Sequence, residues 1–223
     1  MPLDPERRFP LMCLTQDGLG VPHAEQAERL CAAGARWVQL RMKGAHFAGW
    51  LAEASAAAKV CRRHGAVLIV NDSVALAIEC GADGVHLGRQ DGDWREARRL
   101  LGPDRILGGT VNSAEDARRA AASGCLDYAG VGPLRFTPTK GNLAPVLGLA
   151  GVRSLIGELG TLPSWVIGGV LPEDLPALFR AGAAGVAVSS ALHRSGRLEE
   201  NLRALLAAWP AAPRPQPDPA PLS

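Results

Sequence analysis

Three residues at alternating positions, Gln39, Arg41 and Lys43, run out of the apolar stretch Trp37-Val-Gln-Leu40. In an extended segment, positions two apart share a side. Two cations and an amide would therefore project together, an arrangement suited to an anion; from this segment alone a solvated strand end fits equally well. Carboxylates close the next two apolar stretches: Asp72 follows Ala66-Val-Leu-Ile-Val-Asn71, and Asp91 follows Gly84-Val-His-Leu-Gly-Arg-Gln90. Taken singly, Asp72 reads as a helix cap and Asp91 as a surface residue. Taken together beside the cations, they suit Mg2+, which takes one or two protein carboxylates and completes its shell with water and phosphate oxygens.

Further along, Arg105-Ile-Leu-Gly-Gly-Thr110 ends on a hydroxyl, with Asn112 and Ser113 beyond it. The longest stretch between elements, Leu134 to Leu147, contains Phe136-Thr-Pro-Thr-Lys-Gly141, whose two hydroxyls and lysine suit a phosphate. Ser164-Trp-Val-Ile167 leads into Gly168-Gly169, and Gly185-Val-Ala-Val188 leads into Ser189-Ser190. Glycines let a backbone approach an anion, and N–H groups at a helix start can meet it. Two anion sites follow. Gln39, Arg41, Lys43, Lys140 and a cation on Asp72 and Asp91 would make one, dense enough in charge for a pyrophosphate. Gly169, Ser189 and Ser190 would make the other, neutral and suited to a monophosphate. His86, inside an apolar stretch, is expected to be a hydrogen-bonded core or rim residue, and the other histidines to lie at the surface. No Ser-His-Asp order, HExxH or Walker A pattern occurs.

The elements that must position these residues are legible. Gly34, Gly81, Gly124 and Gly182 each close an Ala-rich helical stretch, where a left-handed cap is needed, and an apolar strand follows. Other strand-like runs fall between them, short and apolar with little alternation, as expected of parallel strands covered on both sides. Asp93-x-x-Glu96 and Ser113-x-x-Asp116 predict capping boxes. Pro176 is accommodated if its helix starts near Asp174. Eight strands alternate with eight helices, and the four-fold repeat of paired units favours a (β/α)8 TIM barrel, an α/β fold, over an open doubly wound sheet. In such a barrel chemistry sits at the C-terminal ends of the strands, where the candidate anion-site and metal residues fall. The tryptophans are expected to pack the helices onto the barrel. Residues 1–209 make the single barrel domain, and residues 210–223, with six prolines in fourteen positions, a disordered tail.

Composition narrows the partners. The 223 residues are 47% hydrophobic and 21% charged, enough to bury a core. A net charge of +2 shows no basic excess for nucleic acid, and no apolar run approaches the roughly 20 residues of a membrane span. The N-terminus does not read as a signal peptide. Five scattered cysteines give neither a disulfide framework nor a zinc module and suit a reducing cytoplasm. Small-molecule substrates are the expected partners, and a homo-oligomer is compatible with the barrel.

Six motifs in order along the chain carry a resemblance: Val38-Gln-Leu-Arg-x-Lys43, Val70-Asn-Asp72, Gly84-Val-His-Leu-Gly-x-x-Asp91, Gly130-Val-Gly-Pro133, Thr137-Pro-Thr-Lys140 and Ile167-Gly-Gly-Val170. From about Leu11 to Leu206 the chain resembles thiamine-phosphate synthase. The resemblance implies condensation of a hydroxymethylpyrimidine diphosphate with a thiazole phosphate, giving thiamine monophosphate and pyrophosphate with Mg2+ as cofactor. It implies that Gln39, Arg41, Lys43, Asn71, Thr110 and Lys140 bind the pyrimidine diphosphate, with Arg41, Lys43, Thr110 and Lys140 catalytic. Asp72 and Asp91 would hold the metal. Thr137, Pro138, Thr139, Gly169, Ser189 and Ser190 would meet the thiazole phosphate. Three positions depart from the family: Met42 stands where it usually has Glu, Thr110 where it usually has Ser, keeping a hydroxyl, and Asn112 where it usually has His. A thiazole tautomerase on the same barrel and a non-catalytic thiamine-phosphate binder are the rival readings. Retention of Asp72, Asp91 and Lys140 favours the synthase.

Overall fold

The computed structural model describes residues 9–43, 47–136 and 145–209. Thr137, Pro138, Thr139 and Lys140, and the tail 210–223, lie outside the described residues. Eight parallel strands close in sequence order into a barrel: β1 (Leu11–Leu14), β2 (Trp37–Leu40), β3 (Val67–Asn71), β4 (Gly84–Leu87), β5 (Ile106–Val111), β6 (Tyr128–Val131), β7 (Ser164–Ile167) and β8 (Gly185–Val188). The last strand closes on the first, with Leu11, Met12 and Cys13 opposite Val186, Ala187 and Val188. Helices α1 (His23–Ala32), α2 (Phe47–Arg63), α3 (Val74–Glu79), α4 (Trp94–Leu101), α5 (Ala114–Ser123), α6 (Gly148–Leu159) and α7 (Leu175–Arg180) each follow a strand. The open sheet is thereby excluded.

The predicted caps hold in part. Ser73 caps α3, Asp93 caps α4 and Ser113 caps α5, each side chain accepting from first-turn N–H groups. The reciprocal half of the Ser113 box is displaced by one residue, because Asp116 accepts from the N–H of Asn112. Pro176 sits in the first turn of α7, behind a 3-10 turn at Pro172–Asp174. The eighth unit differs from the expected single helix. It is split into α8 (Ser190–His193) and α9 (Leu198–Ala208), because Ser195 and Gly196 take left-handed φ of 55° and 69° that no helix can carry. Among the described residues no helix is long and apolar enough to cross a membrane.

Period two sorts each strand into two cores. Leu11, Cys13, Val38, Leu40, Leu68 and Val70 join the helices in the outer core. Met12, Leu14, Trp37, Ile69, Tyr128 and Trp165 fill the inner one. Two tryptophans are thus not helix packing at all. The rings of Trp37, Tyr128 and Trp165 lie 4.9 to 5.5 Å apart and plug the barrel beneath the strand ends. Glycine on the neighbouring strand makes room: a Cβ on Gly108 would lie 2.1 Å from Tyr128 Cζ. This plug is the floor on which the site stands.

Candidate active site

Strand β2 and the segment that leaves it deliver three polar residues to three depths. Gln39 is 3% exposed and points into the barrel, its amide Nε2 3.2 Å from Met12 Sδ and its side chain bonded to the Tyr128 hydroxyl. Arg41 is 8% exposed, and its backbone N–H donates to the Thr15 hydroxyl at 3.1 Å. Lys43 is exposed at the rim; its backbone N–H donates to Asp17 at 3.1 Å and its ammonium to Asp72. The loop after β1 therefore braces the cationic strand end, a role for Thr15 and Asp17 that sequence reasoning missed. Asp17 also meets His23, whose other ring nitrogen is 2.8 Å from the Thr15 hydroxyl.

Asp72 does not cap α3. It takes φ 67°, a left-handed conformation that costs a side-chain-bearing residue of order 1–3 kcal/mol. Its N–H stays in the ladder, donating to His86 carbonyl at 2.9 Å, while the side chain turns toward Lys43 and Asp91. Asp91 comes from a tight turn in which its Oδ2 accepts from Gly88 N–H at 2.7 Å. The two carboxyls meet and split. Burial works to raise Asp72, but hydrogen bonds from Asp91 and Lys43, with the Lys43 charge, hold it below the usual carboxylate range. Burial, then the hydrogen bond and charge of Asp72, push Asp91 up. No group of three or more His, Cys, Asp or Glu side chains forms among the described residues. A cation here would have two protein carboxylates and would draw its other ligands from water or substrate, as Mg2+ does. The donor set fits that ion.

Below this rim, Gln39, Arg41, Asn71, Thr110, His86 and Tyr128 line one cavity floored by Trp165. His86 stands between two hydroxyls, Nδ1 3.1 Å from Tyr128 and Nε2 2.9 Å from Thr110. Burial keeps the Tyr128 phenol protonated. The histidine is hydrogen-bonded as expected, yet it also forms part of the cavity wall, which its place in an apolar run did not reveal.

Across the mouth, Gly168 and Gly169 turn the chain with φ of 97° and 68°. Ser189 caps α8 without a side-chain cap bond and points its hydroxyl at Gln16 Oε1, 3.3 Å away. Ser190 begins α8. Arg135, unremarked in the sequence, bonds the Gly169 carbonyl at 3.0 Å and both oxygens of Asp174 at 2.5 Å. His193, expected at the surface, is half-buried on α8 with Nε2 3.1 Å from the Leu14 carbonyl.

The family model for thiamine monophosphate synthase matches residues 11–192. The chain belongs to that family. Thiamine-phosphate synthase from Bacteroides fragilis is 40% identical over 200 residues, covering 87% of this chain and 98% of that protein. The one from Laribacter hongkongensis is 42% identical over 190 residues, 85% of this chain and 84% of that protein. Among solved structures, thiamine phosphate pyrophosphorylase from Pyrococcus furiosus superposes with a TM-score of 0.81 at 28% identity, covering 91% of this chain and 96% of that one. Thiamine-phosphate synthases are transferases.

Two of the departures from the family pattern, Met42 and Asn112, have local reasons in this member. Met42 is buried in the outer core, where a carboxylate would lose hydration and a thioether packs. Asn112 ties two strand ends together, its amide donating to the Gly132 carbonyl and its N–H to Asp116.

Proposed function

We propose that this thiamine-phosphate synthase joins 4-amino-5-hydroxymethyl-2-methylpyrimidine diphosphate to 4-methyl-5-(2-phosphoethyl)thiazole. The C–O bond to the diphosphate breaks, its electron pair leaving with pyrophosphate. The lone pair of the thiazole nitrogen forms the new C–N bond. Supporting this reading above all is the convergence of Lys43, Asp72 and Asp91 at one point on the rim, above a cavity that holds Gln39, Arg41, Asn71 and Thr110.

The aminopyrimidine ring stabilises positive charge at its CH2, so the leaving group can depart early. Arg41, Lys43 and Lys140 would then meet growing negative charge, which favours the transition state over the ground state. Mg2+ on Asp72 and Asp91 would supply further positive charge against the pyrophosphate oxygens. Gln39, Asn71 and Thr110 would orient the pyrimidine, with His86 fixing the direction of the Thr110 hydroxyl. Thr137, Pro138, Thr139, Gly169, Ser189 and Ser190 would seat the thiazole phosphate, whose charge does not change, so neutral groups suffice there. A ring nitrogen has no proton to lose, and no general base is required. Binding the two substrates side by side turns the condensation into an effectively unimolecular step. Four of the five free cysteines are buried, in keeping with a reducing cytoplasm. The test is pyrophosphate release with each substrate alone and with both. Release only with both supports the reading, and none with both refutes it.

A further inference from the structure

The two-glycine turn after β7 would be the least constrained backbone at the mouth if left alone, since glycine occupies left-handed and right-handed conformations with similar ease. It is not left alone. Arg135 N–H donates to the Gly168 carbonyl at 2.9 Å, continuing the β6–β7 pairing beyond the strands. The Arg135 guanidinium then donates to the Gly169 carbonyl at 3.0 Å. Its two Nη atoms also grip both oxygens of Asp174, whose side chain is 13% exposed. Asp174 closes the same turn from the other end, its Oδ2 accepting from Leu171 N–H at 2.9 Å. Burial would raise the Asp174 carboxyl, but the Arg135 and Leu171 bonds and the Arg135 charge hold it below the usual range.

An ordinary exposed ion pair contributes little. This one differs in having a third partner, a backbone carbonyl. In a trans peptide the C=O and the following N–H point in opposite directions. Fixing the Gly169 carbonyl therefore fixes the whole Gly169–Val170 peptide unit. A Cβ at Gly169 would come 3.0 Å from Arg135 Cβ, so the two segments are already in contact there.

We propose that Arg135, held by Asp174, is a positioning residue for the phosphate monoester of the second substrate. It acts through the Gly168–Gly169 backbone and does not itself bind the phosphate. The inference rests on the assignment of Gly169 to the thiazole phosphate under the proposed function. Pinning a turn before the ligand arrives removes an ordering cost from binding. The pin needs a planar fork that can hold a carboxylate with two donors and still reach a carbonyl. Lysine is a point charge and cannot do so.

The experiment compares wild type with Arg135→Gln, Arg135→Lys, Asp174→Asn and the Arg135→Gln/Asp174→Asn pair. Steady-state kinetics are run with each substrate varied, and calorimetry with thiazole phosphate and with inorganic phosphate. Arg135→Gln is expected to raise the thiazole-phosphate KM and Kd about tenfold, the scale of one well-made hydrogen bond. The pyrimidine-diphosphate KM should stay within about twofold. Arg135→Lys should resemble Arg135→Gln, and the double variant should be no worse than either single one, because both break one unit. Near-wild-type binding by Arg135→Lys would mean that positive charge alone matters, and would overturn the proposal. So would unchanged kinetics in Arg135→Gln, or equal loss for both substrates together with a large fall in Tm. Should wild type fail to condense the substrates, the proposed function fails first. The positioning role is then decided by inorganic phosphate, which Arg135→Gln must still bind more weakly than wild type.

Discussion

His86 Nε2 lies 2.9 Å from the hydroxyl of Thr110, the residue that closes the cavity on the β5 side. Because the opposite ring nitrogen is engaged by Tyr128, the ring cannot turn to suit another partner. A Cβ at Gly130 would sit 2.8 Å from His86 Cε1, so the neighbouring strand also confines it.

A first prediction follows. His86→Phe replaces the imidazole with a somewhat larger apolar ring and leaves the Thr110 and Tyr128 hydroxyls without this partner. With thiazole phosphate saturating, kcat/KM for the pyrimidine diphosphate should fall by about tenfold, equivalent to one buried hydrogen bond. Thr110→Val should cost a similar amount, and the two together little more. Kinetics of the two single variants and the pair check this; an unchanged His86→Phe enzyme contradicts it.

A second concerns the carboxylate pair. Asp91 sits in a rim turn with its side chain on Gly88 N–H and Asp72, not in the core. Asp91→Ala should lower turnover at fixed Mg2+ by at least roughly 10- to 100-fold, the cost already seen when only a partner of a metal ligand is lost. Thermal denaturation should move by only a few degrees, as for a variant costing about 1 kcal/mol. A Mg2+ titration of turnover and a melting curve decide it. Wild-type turnover at low Mg2+ contradicts the assignment.

A third uses His193. Burial holds its imidazole below the ordinary value near 6.5, with the Arg29 and His23 charges acting the same way, while its bond to the Leu14 carbonyl opposes them. The folded chain therefore keeps this group neutral at a pH where the unfolded chain protonates it. Its contribution is fully present above pH about 6.5 and is lost as pH falls from there through the folded-state value. Denaturant midpoints from pH 7.5 to pH 5.5 should fall less steeply for His193→Gln than for wild type. Equal slopes contradict the linkage.

The alternation of strands and helices was legible because glycine caps and apolar runs repeat at regular spacing, and the strand-end rule then placed Gln39, Arg41, Asn71, Asp72, Asp91 and Thr110 around one mouth. Which face of each strand lines the barrel was not legible. In β2 all four residues are buried, and burial alone does not tell the lumen from the helix side; the one polar mark, Gln39, shares its face with Trp37. Trp37 and Trp165 were accordingly expected outside and stand inside. The bracing residues were hidden for another reason. His86 finds Thr110 24 residues away and Tyr128 42 away, and Arg135 finds Asp174 39 away. Such pairs are made by barrel closure and leave no local signal. Met42 and Asn112 read as losses in the sequence, and only their surroundings reveal a packing role and a strand-end tie.

The proposed condensation exchanges one bond to pyrophosphate for one bond to the thiazole nitrogen. The most direct measurement is parallel quantification of thiamine monophosphate and pyrophosphate from the purified chain with both substrates and Mg2+. The two products should appear together in equal amounts, and neither should appear when either substrate is omitted. Pyrophosphate formed without thiamine monophosphate, or no product from the two substrates together, would contradict it.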